Sequence, residues 1–333
     1  MCMGSAYWSS NGTTFFWICI VLSAAGSFTE AIFTVMLYAD ITNRFKKESG
    51  LMISLLQLLD HCGNLVGVSL GGILVDFWSY PMPFYVFGAA LTLSSPFIVK
   101  FLPKGNNMND ASSPSIEEEK SSTILWKLLC DPLFLVDMVT ITMYWSITGF
   151  NSTTLEPSLR LFHYSNSKVG NVFALQFLSS IIGNIIAGAF CHFKMEAFYG
   201  FIGQIFATLA FLILGPAPFI PYERALWMIY LAQIFTGLAT SAMFACAYSQ
   251  ALRVAKWRGY SDNIQTNGFV SISVQASMVI GGLITPPLAG YVVQEIGYRN
   301  GTAIMFVLYA AWIPVTFGLW MHSLFSLESS GEF

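Results

Sequence analysis

The chain has 333 residues, of which 55% are hydrophobic and only 10% charged, and its mean hydropathy is +0.62. A soluble domain carries about 25% charged residues, so this chain lacks the polar surface to cover itself in water and reads as an all-α polytopic membrane protein. The formal net charge of -3 excludes little, because the placement of Lys and Arg in a membrane protein matters more than their total.

A membrane helix needs about 20 largely apolar residues. Nine segments meet that need, roughly Phe15–Tyr38, Met52–Val75, Met82–Phe101, Pro132–Thr153, Val169–Cys191, Tyr199–Phe219, Leu226–Val254, Gly268–Val293 and Thr302–Leu324. In hydrocarbon every backbone polar group must be bonded internally, so each is expected to be a helix. The ten-residue alternating strands of a membrane barrel are absent from the sequence. Residues 103–127, with NNMNDASSPS and EEEK, read as a flexible cytosolic linker between three helices in 1–102 and six helices plus a short tail in 128–333.

Loop charge sets the expected orientation. One set of loops holds 11 of the 15 Lys and Arg residues, from Arg44, Lys46 and Lys47 to Arg253, Lys256 and Arg258; the other holds Arg160, Lys168, Arg224 and Arg299. The positive-inside rule puts the first set in the cytosol, with the amino terminus extracytoplasmic and the carboxyl terminus cytosolic. Three glycosylation sequons, at Asn11, Asn151 and Asn300, fall on or next to the expected outer side. The six cysteines are scattered without a CxxC pair and read as small apolar packing residues. The amino terminus lacks the basic start and small-residue cleavage site of a signal peptide.

Two segments look alike. The second helix holds Gly63, Gly67, Gly71 and Gly72, then Asp76, Tyr80 and Pro81; the eighth holds Gly281, Gly282, Pro286, Pro287 and Gly290, then Glu295 and Gly297-Tyr298-Arg299. Small residues let helices approach closely in a membrane, and matching Gly/Pro-rich segments in two halves mark a repeat-built transporter. The stretch VGVSLGGILVDFWSYPMPF resembles the fifth-helix motif of the major facilitator superfamily, GPPxGGxLxxxxGyxxPF, with Val68-Ser69 in place of its Pro pair. GGLITPPLAGYVVQEIGYR resembles that superfamily's eleventh-helix counterpart. LEPSLRLFHYSNSKVGNVFAL and ILGPAPFIPYERALWMIYLAQIFTGLATSAM are similar to the vesicular amine transporter group, and most to its polyamine branch.

The resemblance implies twelve helices in two bundles around a central cavity, of which this chain aligns with the fourth helix onward, so that three helices are expected to be missing. It also implies proton-coupled antiport of a small organic cation, polyamine or monoamine. The implied partners are that cation, the proton and the lipid bilayer, in a vesicle, organelle or plasma membrane. No metal spacing, nucleophile motif or Gly-rich phosphate loop occurs, so no enzyme, cofactor or nucleic-acid role is expected. Two stretches depart from the family: FACAYSQALRVA has Gln250 where an acid is expected, and GAFCHFKMEAF replaces the basic loop between the eighth and ninth family helices.

A carboxylate in a membrane is costly unless it faces a cavity, water or a partner. Glu156 ends 18 uncharged residues, Met138–Leu155, and precedes the helix-breaker Pro157. It matches the family's LEP motif, whose acid lines the substrate path; the other reading is an end-of-helix carboxylate paired with Arg160. Glu30 is either functional or a buried structural partner. Asp60 and His61 could couple protons, since His titrates near neutrality, or form a polar helix–helix contact. Asp137, close to Asp131-Pro132, reads as near the cytosolic surface. Tyr144 and Trp145, about three turns before Glu156, could form an aromatic wall for a cation. The rival to a transporter is a truncated, non-transporting membrane protein that binds a partner.

Overall fold

The computed structural model describes residues 12–101, 126–159, 166–215 and 225–330. Residues 103–125 of the expected linker, and Asn11 of the first sequon, lie outside them. Among the described residues, nine helices appear at the nine expected places: α1 (Gly12–Arg44), α2 (Ser49–Phe77), α3 (Met82–Phe101), α4 (Pro132–Leu159), α5 (Asn166–His192), α6 (Glu196–Leu214), α7 (Leu226–Trp257), α8 (Ile264–Ile296) and α9 (Tyr298–Ser330). A 3-10 turn, Trp126–Cys130, precedes α4. Eight of the nine are long and apolar enough over their described residues to cross a membrane; α3, 20 residues with Pro96 inside it, is the other.

The helices outrun the apolar segments that encode them. α1, α8 and α9 have 33 residues each, about 50 Å at 1.5 Å per residue, against a hydrocarbon core of about 30 Å. Polar residues mark the ends that project from it. Asp131 Oδ1 accepts the Leu133 N–H at 3.0 Å at the head of α4, and Asn263 Oδ1 accepts the Thr266 N–H at 2.9 Å at the head of α8. One expectation is corrected: α4 runs through Pro157 to Leu159. Proline lacks the N–H that would bond the Thr153 carbonyl, but with only two residues after it the lost bond lies in the last turn, not in the helix interior. Between α8 and α9 the break is a single residue. Gly297 has φ 83°, a left-handed conformation that glycine adopts without strain, and its N–H bonds Val293 O at 3.0 Å.

Among the eight helices long and apolar enough to cross a membrane, α7 is the most buried and α1 the least over their apolar stretches. The core gathers on α4 and α7, with Phe134, Ile141, Ile147, Phe150, Phe244 and Tyr248 almost fully buried. α2 packs mainly along α5, α8 along α4, α9 along α6, and α1 mainly along α8. The first two helices therefore lean on the later six more than on each other, and α3 packs along α2. Their outward apolar side chains, such as Phe28, Leu91 and Leu93, are exposed in the way lipid-facing residues are.

Close approach of α5 and α7 depends on Gly237. A Cβ there would collide with Gln176 O and lie 2.7 Å from Ser179 Cβ. Neither can yield without moving backbone. Gly237→Val is expected to cost about 3 kcal/mol and to lower the thermal midpoint of the detergent-solubilised protein. An unchanged midpoint would show that the two helices do not touch there.

The basic loops meet at one end. Lys46, in the α1–α2 turn, donates to the Asp262 carbonyl, and Lys256 at the end of α7 pairs with the Asp262 carboxylate at 2.8 Å. Arg258 pairs with Asp131 ahead of α4, and Arg253 pairs with Glu196 at the head of α6.

Candidate functional site

Midway along the bundle lies a cavity of about 790 Å³, walled by α1, α2, α4, α7 and α8. Helical spacing brings its lining together. On α1, Glu30, Thr34 and Tyr38 recur every fourth residue and so share one face; on α2, Gln57 and Asp60 stand three apart on one face. Tyr144 and Trp145 come from α4, Phe244 from α7 and Gln275 from α8.

Two carboxylates therefore open on the same space, and both Glu30 and Asp60 are exposed to it. Asn64 Nδ2 donates to Asp60 Oδ2 at 3.1 Å, one turn on. Neither acid has an ion-pair partner among the described residues, and the lining holds no Lys, Arg or His. The opposing wall is aromatic: the Tyr144 and Trp145 rings lie 5.6 Å apart, and Tyr144 and Phe244 5.3 Å apart. A pocket with two such carboxylates beside several aromatic rings suits a cation and repels an anion.

The floor of the cavity, toward the basic end, is a hydrogen-bonded chain across three helices. Tyr38 Oη donates to Gln57 Oε1 at 3.2 Å, and Gln57 Nε2 donates to Tyr144 Oη at 3.0 Å. Beneath it the Tyr38 ring packs 5.3 Å from that of Tyr248, whose hydroxyl bonds the Ser271 hydroxyl at 2.5 Å.

The sequence candidates separate in space. Glu30, Asp60, Tyr144 and Trp145 converge on the cavity. His61 does not: it is buried against α5, its Nδ1 3.0 Å from Asn184 Nδ2 and its ring 5.9 Å from that of Phe177. Consecutive helix positions point about 100° apart, so Asp60 and His61 act on different surfaces, and His61 makes the polar helix–helix contact. Glu156 is exposed in the last turn of α4, 12 residues beyond Tyr144 and thus about 18 Å further along the axis, outside the cavity lining. Its expected partner Arg160 lies outside the described residues. Asn151 is 2% exposed within α4, so in this fold it is no surface acceptor for a glycan, whereas Asn300 is exposed in the first turn of α9. Asp137, five residues into α4 and so toward the basic end, is buried among the helices. Tyr38, Gln57, Phe244 and Gln275 escape the sequence reading; the four-residue spacing from Glu30 to Tyr38 is the signal that points to the first of them.

Several known proteins are similar to this chain in sequence. The chain is 23% identical over 327 residues to the MFS-type transporter SLC18B1 of Homo sapiens, covering 96% of this chain and 67% of that one. It is 25% identical over 293 residues to the protein of the same name in Rattus norvegicus, covering 85% and 61%. It is 22% identical over 291 residues to a multi-drug resistance efflux pump PmrA homolog of Lactococcus lactis, covering 82% and 65%. The chain thus spans about two thirds of the length of these relatives. The sequence model of the Major Facilitator Superfamily matches residues 1–273, on helices whose order and packing surround one central cavity, and the chain belongs to that superfamily.

Proposed function

We propose that this chain is a secondary active transporter of small organic cations, polyamine or monoamine, working by proton-coupled antiport. The observation that carries the reading is the cavity: two carboxylates, an aromatic wall and no basic lining residue. The transporter names of the relatives and the amine-group motifs in the sequence support it. Glu30 and Asp60 hold the cation, with Tyr144 and Trp145 against its charge or its alkyl chain. Glu156, in the LEP motif at the far end of α4, meets the cation on its way to the cavity. The basic end faces the cytosol. Alternating access proceeds by rocking the first three helices against the later six along the α2–α5 contact.

The test is uptake of labelled spermidine, and of a labelled monoamine, into proteoliposomes with an acidic interior. Accumulation that disappears when the pH gradient is collapsed is the expected result. Failure to accumulate either amine overturns the reading.

A further inference from the structure

A second acidic site lies outside the cation cavity, toward the basic end. Asp137 of α4 is 2% exposed, and its Oδ2 has no hydrogen-bond partner among the described residues. It borders a separate cavity of about 20 Å³, shared with Thr140, Cys246, Gln250 and Thr316. That is room for one water molecule, with hydroxyl and amide groups to hold it.

The charges around Asp137 are already committed. Two other acids act on it, Glu196 at the head of α6 and Asp131 ahead of α4. Glu196 is paired with Arg253 of α7, and Asp131 with Arg258. Lys194, in the turn before α6, offers its carbonyl to Arg253. Cys246 is the other titratable group on the cavity wall, and α9 contributes only Thr316 and Leu319 to it. Every described cation at this end therefore answers another carboxylate or lies outside the cavity, and Asp137 is left with acids for neighbours. A buried carboxyl so placed is stable only as the neutral acid or with a cation beside it.

We propose that Asp137 is a proton site, separate from the cation cavity, which releases its proton to a water in the small cavity and takes one back by the same route. The release is RCOOH to RCOO⁻, with the proton passing to that water. As a coupling site it rests on the transport reading above; as a proton-holding acid it does not.

Two measurements on the reconstituted full chain separate those claims. Infrared difference spectroscopy at neutral pH is expected to show a protonated-carboxyl C=O band that is lost in Asp137→Asn and shifted in Gln250→Leu, which leaves the acid in place. A band unchanged in both variants overturns the proton site. In the transport assay, Asp137→Asn is expected to keep exchange of labelled for unlabelled spermidine, which needs no net proton movement, and to lose gradient-driven accumulation at least tenfold. Asp137→Glu, which keeps the acid, is expected to restore accumulation, which a mere packing defect would not allow. Unimpaired accumulation in Asp137→Asn overturns the coupling role. If the wild-type protein neither exchanges nor accumulates amine, the substrate reading fails, and the infrared band alone decides the proton site.

Discussion

Asp60→Asn is expected to lower cation uptake by about tenfold, and Glu30→Gln to do the same. Both side chains open on the same cavity and have no protein cation beside them among the described residues, so each is available to a substrate charge. Truncating one partner of a buried charge pair costs about 2–5 kcal/mol. Here the acids are exposed in the cavity rather than buried, so the loss is smaller, and about 1.4 kcal/mol, one factor of ten, is the expected size. Folding is spared, because exposed positions tolerate such changes within about 0.5 kcal/mol. The double variant separates substrates. A polyamine that spans both carboxylates gives coupled losses, whereas a monoamine gives losses dominated by one of them. Initial rates of labelled amine uptake, normalised to folded protein, provide the check. Rates unaffected in both single variants would remove the two acids from the site.

Arg253→Ala is the second change expected to matter greatly, and it acts on stability. Glu196 is 1% exposed, and Arg253, 19% exposed, is its partner across α6 and α7. Removing the arginine leaves a buried carboxylate without its cation, a loss of about 3–5 kcal/mol. The guanidinium also lies 5.8 Å from the centre of the Trp257 ring, and truncation to alanine removes that cation–π attraction as well. Glu196→Gln combined with Arg253→Met should recover most of the loss, because the charge and its partner leave together. Thermal unfolding of the three proteins in one detergent is the comparison to make. If the single variant is as stable as the parent, the pair contributes nothing to holding α6 on α7.

Much of the fold is legible in the sequence because a membrane imposes one rule on long apolar runs. Each of nine runs forms a helix, and the basic loops meet at one end. The limits of the reading are local. Pro157 looks like a stop signal, yet α4 carries it inside its last turn. Asp60 and His61 look like one unit because they are neighbours in sequence, and the helix turns them onto different surfaces. Glu30 stands out by the cost of an acid in mid-segment, which holds whatever it faces. The polar residues of the cavity floor do not: Tyr38 and Gln57 are ordinary in an apolar helix until a third helix brings Tyr144 to them. Glu156 is marked by a motif, and a motif carries no information on which end of a 28-residue helix faces the central space.

The single residue between α8 and α9 has a mechanical meaning. Two 33-residue rods joined through Gly297 alone have no slack between them. α8 forms a wall of the cation cavity from Gln275 to Leu283, while α9 is laid along α6. The end of α8 cannot shift without carrying the start of α9 with it, and α9 lies along the helix that begins at Glu196.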